Sequence, residues 1–123
     1  MTMRQSFTAV IERNARLTGE FTTEPYEAAW AREARWFVRV LDTSGRSPRI
    51  LVRTQISPDG LHWCDFDEPE RSVAPGEGPL HSWSAADFGG WLRLRGTVVG
   101  DASGEPEDVS PSVKVLIYLA LKS

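Results

Sequence analysis

The chain has 123 residues, with 14 basic and 17 acidic side chains and a formal charge of −3. Apolar residues make up 41% and charged residues 25%, a globular balance that excludes collagen-like and wholly disordered chains and allows one domain with its own core. The acidic balance argues against a dedicated nucleic-acid binder, and the single cysteine, Cys64, excludes an internal disulfide or a cysteine-based zinc site.

The N-terminal segment Met1-Thr-Met-Arg-Gln-Ser6 lacks the apolar core of a signal peptide, so a cytoplasmic or particle-associated protein is expected. Ser6 to Glu12 and Leu17 to Thr22 are weak strand candidates. Tyr26 to Arg35 is rich in Ala, Glu and Arg, which favour helix, and Pro25 suits a first helical position; a helical turn and an extended lead into the next strand are both open. Trp36, Val38 and Val40 then share one face of a strand, opposite Arg35, Phe37, Arg39 and Leu41. Ile50, Val52, Thr54 and Ile56 oppose Leu51, Arg53 and Gln55 in the next. Leu92, Leu94 and Val98 oppose Trp91, Arg93, Arg95 and Thr97. Val113, Val115, Ile117, Leu119 and Leu121 alternate with Lys114, Leu116, Tyr118, Ala120 and Lys122; this segment holds the longest apolar run, Val115 to Leu121, which is too short to span a bilayer.

Loops rich in Gly, Pro and Ser at 42–48, 67–79 and 100–111 separate these runs. The expected fold is all-β: an antiparallel, jelly-roll-like β-sandwich in a single domain over 1–123, with helix confined to one short piece near 25–34, if any. Residues 1–33 stand apart as an N-terminal arm or assembly segment.

The sharpest local motif is Ser57-Pro-Asp-Gly-Leu-His-Trp63, between the strand ending at Ile56 and a short strand over Trp63 to Phe66. Pro58 presets φ, Asp59 can bond its own backbone and Gly60 supplies positive φ, so Ser57, Asp59, Gly60 and Trp63 are assigned to a structural hairpin with Trp63 packed beneath it. The pattern Ser-x-Asp-Gly-x-x-Trp resembles the hairpin of discoidin-type sandwiches and, more loosely, the Asp-box of sialidase propellers. With the Ala34 to Asp42 strand before it, and Gly90-Trp-Leu-Arg-Leu-Arg-Gly and Ser112 to Lys122 after it, the order is similar to small β-sandwich virion proteins of tailed bacteriophages and phage-derived particles. The resemblance covers residues 34–123 and implies a structural particle component, with no catalytic fingerprint.

Chemistry is sparse. The two histidines are His62 and His81; Ser82, His81 and Asp87 make a triad only on paper, without a nucleophile-elbow context. Cys64, beside Asp65, lacks the cationic surroundings that activate a thiol. The acidic stretches Asp65 to Glu70 and Glu105 to Asp108 lack calcium-loop spacing and read as solvated loops. No catalytic residue, metal or cofactor is expected.

Twelve of the basic residues are Arg and two are Lys, which reflects either codon bias or a recognition role. Arg35, Arg39, Arg53, Arg93 and Arg95 alternate with core residues on three strands, forming a stripe if those strands are neighbours. That stripe is either a solvated face or a contact face for an acidic protein partner. Leu116, Tyr118 and Ala120 give the last strand a second apolar face, covered either by another subunit or by the segment carrying Tyr26 and Trp30. The expectation is a non-enzymatic structural protein that pairs with itself and with a larger protein assembly such as a capsid, tail or shell, through Leu116, Tyr118, Ala120, Arg39, Arg53, Arg93 and Arg95. No nucleic-acid or membrane partner is expected. The alternative is a small carbohydrate-binding sandwich using Trp83, Trp91 and loop carboxylates.

Overall fold

The computed structural model describes residues 5–66, 69–100 and 110–123. The strands are β1 (Ser6–Thr18), β2 (Glu20–Thr22), β3 (Tyr26–Glu27), β4 (Glu33–Ser44), β5 (Arg49–Ser57), β6 (Cys64–Asp65), β7 (Arg71–Val73), β8 (Leu80–Ala86), β9 (Trp91–Val99) and β10 (Ser112–Lys122). All pairings are antiparallel. One sheet has the order β1-β10-β4-β8 and the other β2-β9-β5-β6, with β3 also on β9 and β7 also on β5. Taking β2–β3 and β6–β7 as two interrupted strands, the chain changes sheet at every connection except the β5–β6 hairpin. That winding is a jelly roll.

Period-two alternation drives this arrangement. Val113, Val115, Ile117, Leu119 and Leu121 of β10 are fully buried or nearly so, facing Leu92, Leu94 and Val98 of β9 and Ile50 and Val52 of β5 across the sandwich. Each such side chain contributes about 1.5–3 kcal/mol by leaving water. Trp36 and Val38 of β4 complete the layer with Trp83 of β8, the cross-strand partner of Trp36. Of the expected core positions, Ile56 is only partly buried.

The Tyr26–Arg35 segment contains no helix. Tyr26 and Glu27 pair with Leu92 and Trp91, Ala28 N–H donates to Gly90 O at 2.7 Å, and Arg32 N–H donates to Lys122 O at 2.9 Å. These long-range bonds replace the local bonds of a helix, and one Ala31-to-Ala28 turn is all that remains of it. The small side chains that suggested helix serve burial instead: Ala28, Ala31 and Ala34 all sit in the core. Among the described residues the only helical piece is a 3-10 turn at Pro75–Glu77.

Two positions show local constraints within the sheets. A Cβ at Gly96 of β9 would lie 2.6 Å from Leu51 O and 2.8 Å from the Phe21 ring, so only glycine lets β2 pack there. Register shifts in β1 between Val10 and Glu12 and between Glu12 and Ala15, with Asn14 at φ 54, mark bulges that bend this edge strand. They turn Glu12 toward Ile117, where burial, and then Glu24, push its carboxyl above the usual range.

Candidate functional site

The Ser57–Trp63 hairpin is a closed hydrogen-bond unit. The buried Ser57 Oγ accepts from Gly60 N–H at 2.8 Å and Asp59 N–H at 3.2 Å, and donates to Asp59 Oδ1 at 3.0 Å. Asp59 Oδ1 also accepts from the Leu61 and His62 N–H groups, both at 2.9 Å, while Oδ2 lies 2.7 Å from His62 Nδ1. The His62 side-chain bond first, then the backbone donors, hold the Asp59 carboxyl far below the usual carboxylate range. The turn thus uses up its own carboxylate and the imidazole beside it.

Trp63 does not lie beneath this hairpin. Trp91 does: a Cβ added to Gly60 would meet its ring at 3.1 Å. Trp63 instead stacks on Arg93, whose guanidinium carbon is 4.3 Å from the ring centroid, on the outer face of the β9–β5 sheet. β6 begins immediately after Trp63, beside β5, and that placement carries the ring out over the sheet.

Around this stack is a polar lattice. Arg93 Nε donates to Gln55 Oε1 at 2.8 Å, and Gln55 Nε2 donates to Asp65 Oδ1 at 2.9 Å. Gln55 is 4% exposed, although it lies on the outward face of β5. Asp65 Oδ2 is 3.7 Å from Arg53 Nε, and Glu20 is 3.8 Å from Arg95. Register places Arg53 directly opposite Arg95, a like-charge pair that these carboxylates offset.

The arginines form two groups. Arg53, Arg93 and Arg95 share the outer face of the β9–β5 sheet, whereas Arg35 and Arg39 lie on β4, on the outer face of the other sheet. A single stripe requires β4 to neighbour β5 or β9, and β4 pairs with β10 and β8. Arg39 is therefore on the side of the sandwich opposite Arg53, Arg93 and Arg95.

Leu116, Tyr118 and Ala120 project from the outer face of the β1-β10-β4-β8 sheet and keep partial exposure. Across the sheet, Val10, Tyr118, Phe37 and Ser82 align in one row, and Leu116, Arg39 and Leu80 in the next. Val10 is 40% exposed and Leu80 53%. Tyr26 is hydrogen-bonded into the opposite sheet through β3, so it does not cover this face, and Trp30 keeps 39% exposure.

A cleft of about 330 Å³ opens between β7 and β8, lined by Glu70, Arg71, Ser72, His81, Ser82 and Trp83 among others. Trp83 is buried with its Nε1–H directed to Thr54 Oγ1 at 3.4 Å, and the Arg71 guanidinium stands 5.5 Å from its ring. Trp83 and Trp91 thus face the protein's own groups. His81 Nε2 lies 3.1 Å from Gly78 O. Ser82 and His81, as consecutive residues of a strand, point to opposite faces, which separates the two members of the paper triad.

Cys64 is exposed, and no three His, Cys, Asp or Glu side chains converge as metal ligands among the described residues. Asp67, Glu68 and Glu105 to Asp108 of the acidic stretches lie outside the described residues. No helix among the described residues is long and apolar enough to cross a membrane. The sequence had pointed to Arg53, Arg93 and Trp63 separately; Gln55 and Asp65, which join them, were missed. A glutamine in the middle of a β-branched strand was the available signal.

The fold and these surfaces define an all-β jelly-roll sandwich with one polar-networked face and one partly apolar face. No protein-family model matches the chain, and no curated protein matches it. Among solved structures, the chain is similar over 98% of its length to the crystal structure of dimeric latent PorU from Porphyromonas gingivalis, at 11% identity and a TM-score of 0.31. It spans 10% of that chain.

Proposed function

We propose that the protein is a non-enzymatic structural component that associates with itself and docks within a larger protein assembly, using the outer face of the β1-β10-β4-β8 sheet. The observation that carries this reading is the apolar row Val10, Tyr118 and Phe37, with Leu116 and Leu80 beside it, on a face that has no covering layer among the described residues. The water-facing side of an antiparallel sandwich is normally polar, and an apolar patch rimmed by charge is the usual form of a protein contact. Arg35 and Arg39 flank Phe37 along β4, Arg39 between Leu116 and Leu80, and would fix register against carboxylates of the facing surface. The particle class, a phage-like capsid, tail or shell, is supported by the resemblance of the hairpin and strand order; capsid, portal or shell genes beside this one would support it independently.

Sedimentation of the wild type and Leu116→Lys at matched micromolar concentration tests the contact face. The expected result is a wild type heavier than a monomer and a variant shifted to smaller species with an unchanged circular dichroism spectrum, because the inward face of β10 is untouched. A monomeric wild type would remove the proposal. An unfolded variant would mean that Leu116 is held within its own chain.

A further inference from the structure

We infer that two copies of this chain join edge to edge through β8, in an antiparallel register that sets Ser82 of one copy opposite Ser84 of the other. The inference rests on the self-association proposed above and names the element that starts it.

The argument begins with the hydrogen-bond phase of β8. Val40 N–H donates to Pro79 O at 3.1 Å, and the register continues as Val38↔His81, Trp36↔Trp83 and Ala34↔Ala85. Bonding and non-bonding pairs alternate along an antiparallel ladder, so His81, Trp83 and Ala85 direct their backbone groups to β4. The N–H and C=O groups of Leu80, Ser82, Ser84 and Ala86 then point away from β4. β8 is the last strand of its sheet, and these groups have no hydrogen-bond partner among the described residues.

Natural edge strands are usually guarded by a charge, a proline, a bulge or a covering segment. Leu80–Ala86 carries no Lys, Arg, Asp, Glu or Pro, and its pairing with β4 runs without a register shift. Among the described residues no strand pairs with this edge: the cleft between β7 and β8 lies beside Ser82, with Pro69 to Val73 forming its other wall.

The free groups fit a second copy. A two-fold axis at Trp83 sets Leu80 against Ala86 and Ser82 against Ser84, and each outward N–H then meets an outward C=O. The same residue set serves both copies, as an isologous contact requires. Serine opposite serine places no charge on the paired strands themselves; in each copy Arg35 of β4 donates to Ser82 Oγ at 2.9 Å, so the two guanidiniums flank the junction. Side chains keep their faces across the junction, so the row Val10, Tyr118, Phe37 and Ser82 of one copy runs on into Ser84, Arg35 and Ala120 of the other, and the two outer faces form one surface.

The test uses the full chain with three variants. Ser84→Pro removes only an outward N–H and is tolerable on an edge strand. Leu116→Lys leaves β8 intact. The expected pattern in sedimentation is a dimer for Leu116→Lys and a monomer once Ser84→Pro is added to it. The third variant carries Ser82→Cys and Ser84→Cys with Cys64→Ser. Mild oxidation is expected to convert it to a covalent dimer, while Ser82→Cys alone in the Cys64→Ser background stays uncrosslinked. A monomeric Leu116→Lys, or a dimer that survives Ser84→Pro with no crosslink in the cysteine variant, overturns the β8 contact and leaves association through the outer face standing. Crosslinking by Ser82→Cys alone overturns the stated register. A monomeric wild type at 100 µM, roughly the upper end of the concentrations used for such measurements, overturns both readings. If Ser84→Pro fails to fold, the crosslink decides.

Discussion

Gly60 combines two constraints that a single substitution exposes together. It sits at φ +79, and a Cβ placed there would lie 3.1 Å from Trp91 Cδ2 and Cε2. An L-residue in the left-handed region costs about 1–2 kcal/mol, and more if β-branched. The contact with Trp91 is tighter than ordinary van der Waals packing, so the indole or the hairpin must give by a few tenths of an ångström, adding on the order of 1 kcal/mol of packing strain. Gly60→Val is expected to cost about 2–3 kcal/mol, a fall in Tm of roughly 6–12 °C for a domain of this size. Thermal melts followed by circular dichroism read this directly. Gly60→Asn separates the two causes, because Asn tolerates left-handed backbone but still carries a Cβ; its loss should fall below that of Gly60→Ala. Repeating Gly60→Ala in a Trp91→Leu background should recover the contact term and leave the backbone term. An unchanged Tm for Gly60→Val would refute the turn geometry, and strict additivity with Trp91→Leu would refute the contact.

Asp59 holds its proton less tightly in the folded chain than in the unfolded one, so its contribution to stability is complete above its unfolded pKa, about 3.9, and is lost as pH falls below it. Asp59→Asn should therefore lower Tm at pH 7, and the gap to the wild type should narrow steadily as pH falls from about 4 toward 2; a constant offset across that range would contradict the linkage. Thr23, buried beside β9, accepts a hydrogen bond from Leu94 N–H through Oγ1 at 2.9 Å, and its own N–H donates to Leu94 O at 2.9 Å. Thr23→Val keeps the shape and orphans a buried donor, which should cost about 1–3 kcal/mol in chemical denaturation; a loss within error of zero would show that Leu94 N–H finds another acceptor.

Of the five long strands, β1 has its alternation broken by bulges, whereas β4, β5, β9 and β10 were legible because their alternation is strict and their inward residues are large. β8 was not: Leu80-His-Ser-Trp-Ser-Ala-Ala86 alternates too, but Ser and Ala have little strand preference, and its identity comes from the Trp36–Trp83 pairing. The Tyr26–Arg35 segment failed in the opposite way, since helix-favouring composition yielded to bonds with Gly90 and Lys122, distant in sequence. At Ser57, Asp59 and Gly60 the hairpin's chemistry is local: the side-chain bonds and the positive φ lie within a few residues of one another. Its tryptophan was misplaced, because which ring lies under Gly60 depends on the β5–β9 register, Ser57 opposite Trp91, and no local pattern carries that. The same cause split the arginines: period two assigns a side chain to a face, but strand order decides which residues share a sheet.

The central place of β10 has a consequence for how the molecule is made. β1 and β4 flank β10 and do not pair with each other, so their sheet has a gap in its middle until residues 112–122 are available. A ribosome delivers those residues after every other strand. Before β10 pairs, the facing edges of β1 and β4 have no partner, and Trp36 and Val38 lack the β10 side chains that pack with them. Loop closure over such separations is slow, and open strand edges invite association with other chains. Until β10 pairs, the β1 and β4 edges lack their common partner, and a chain held in that state is open to association through them.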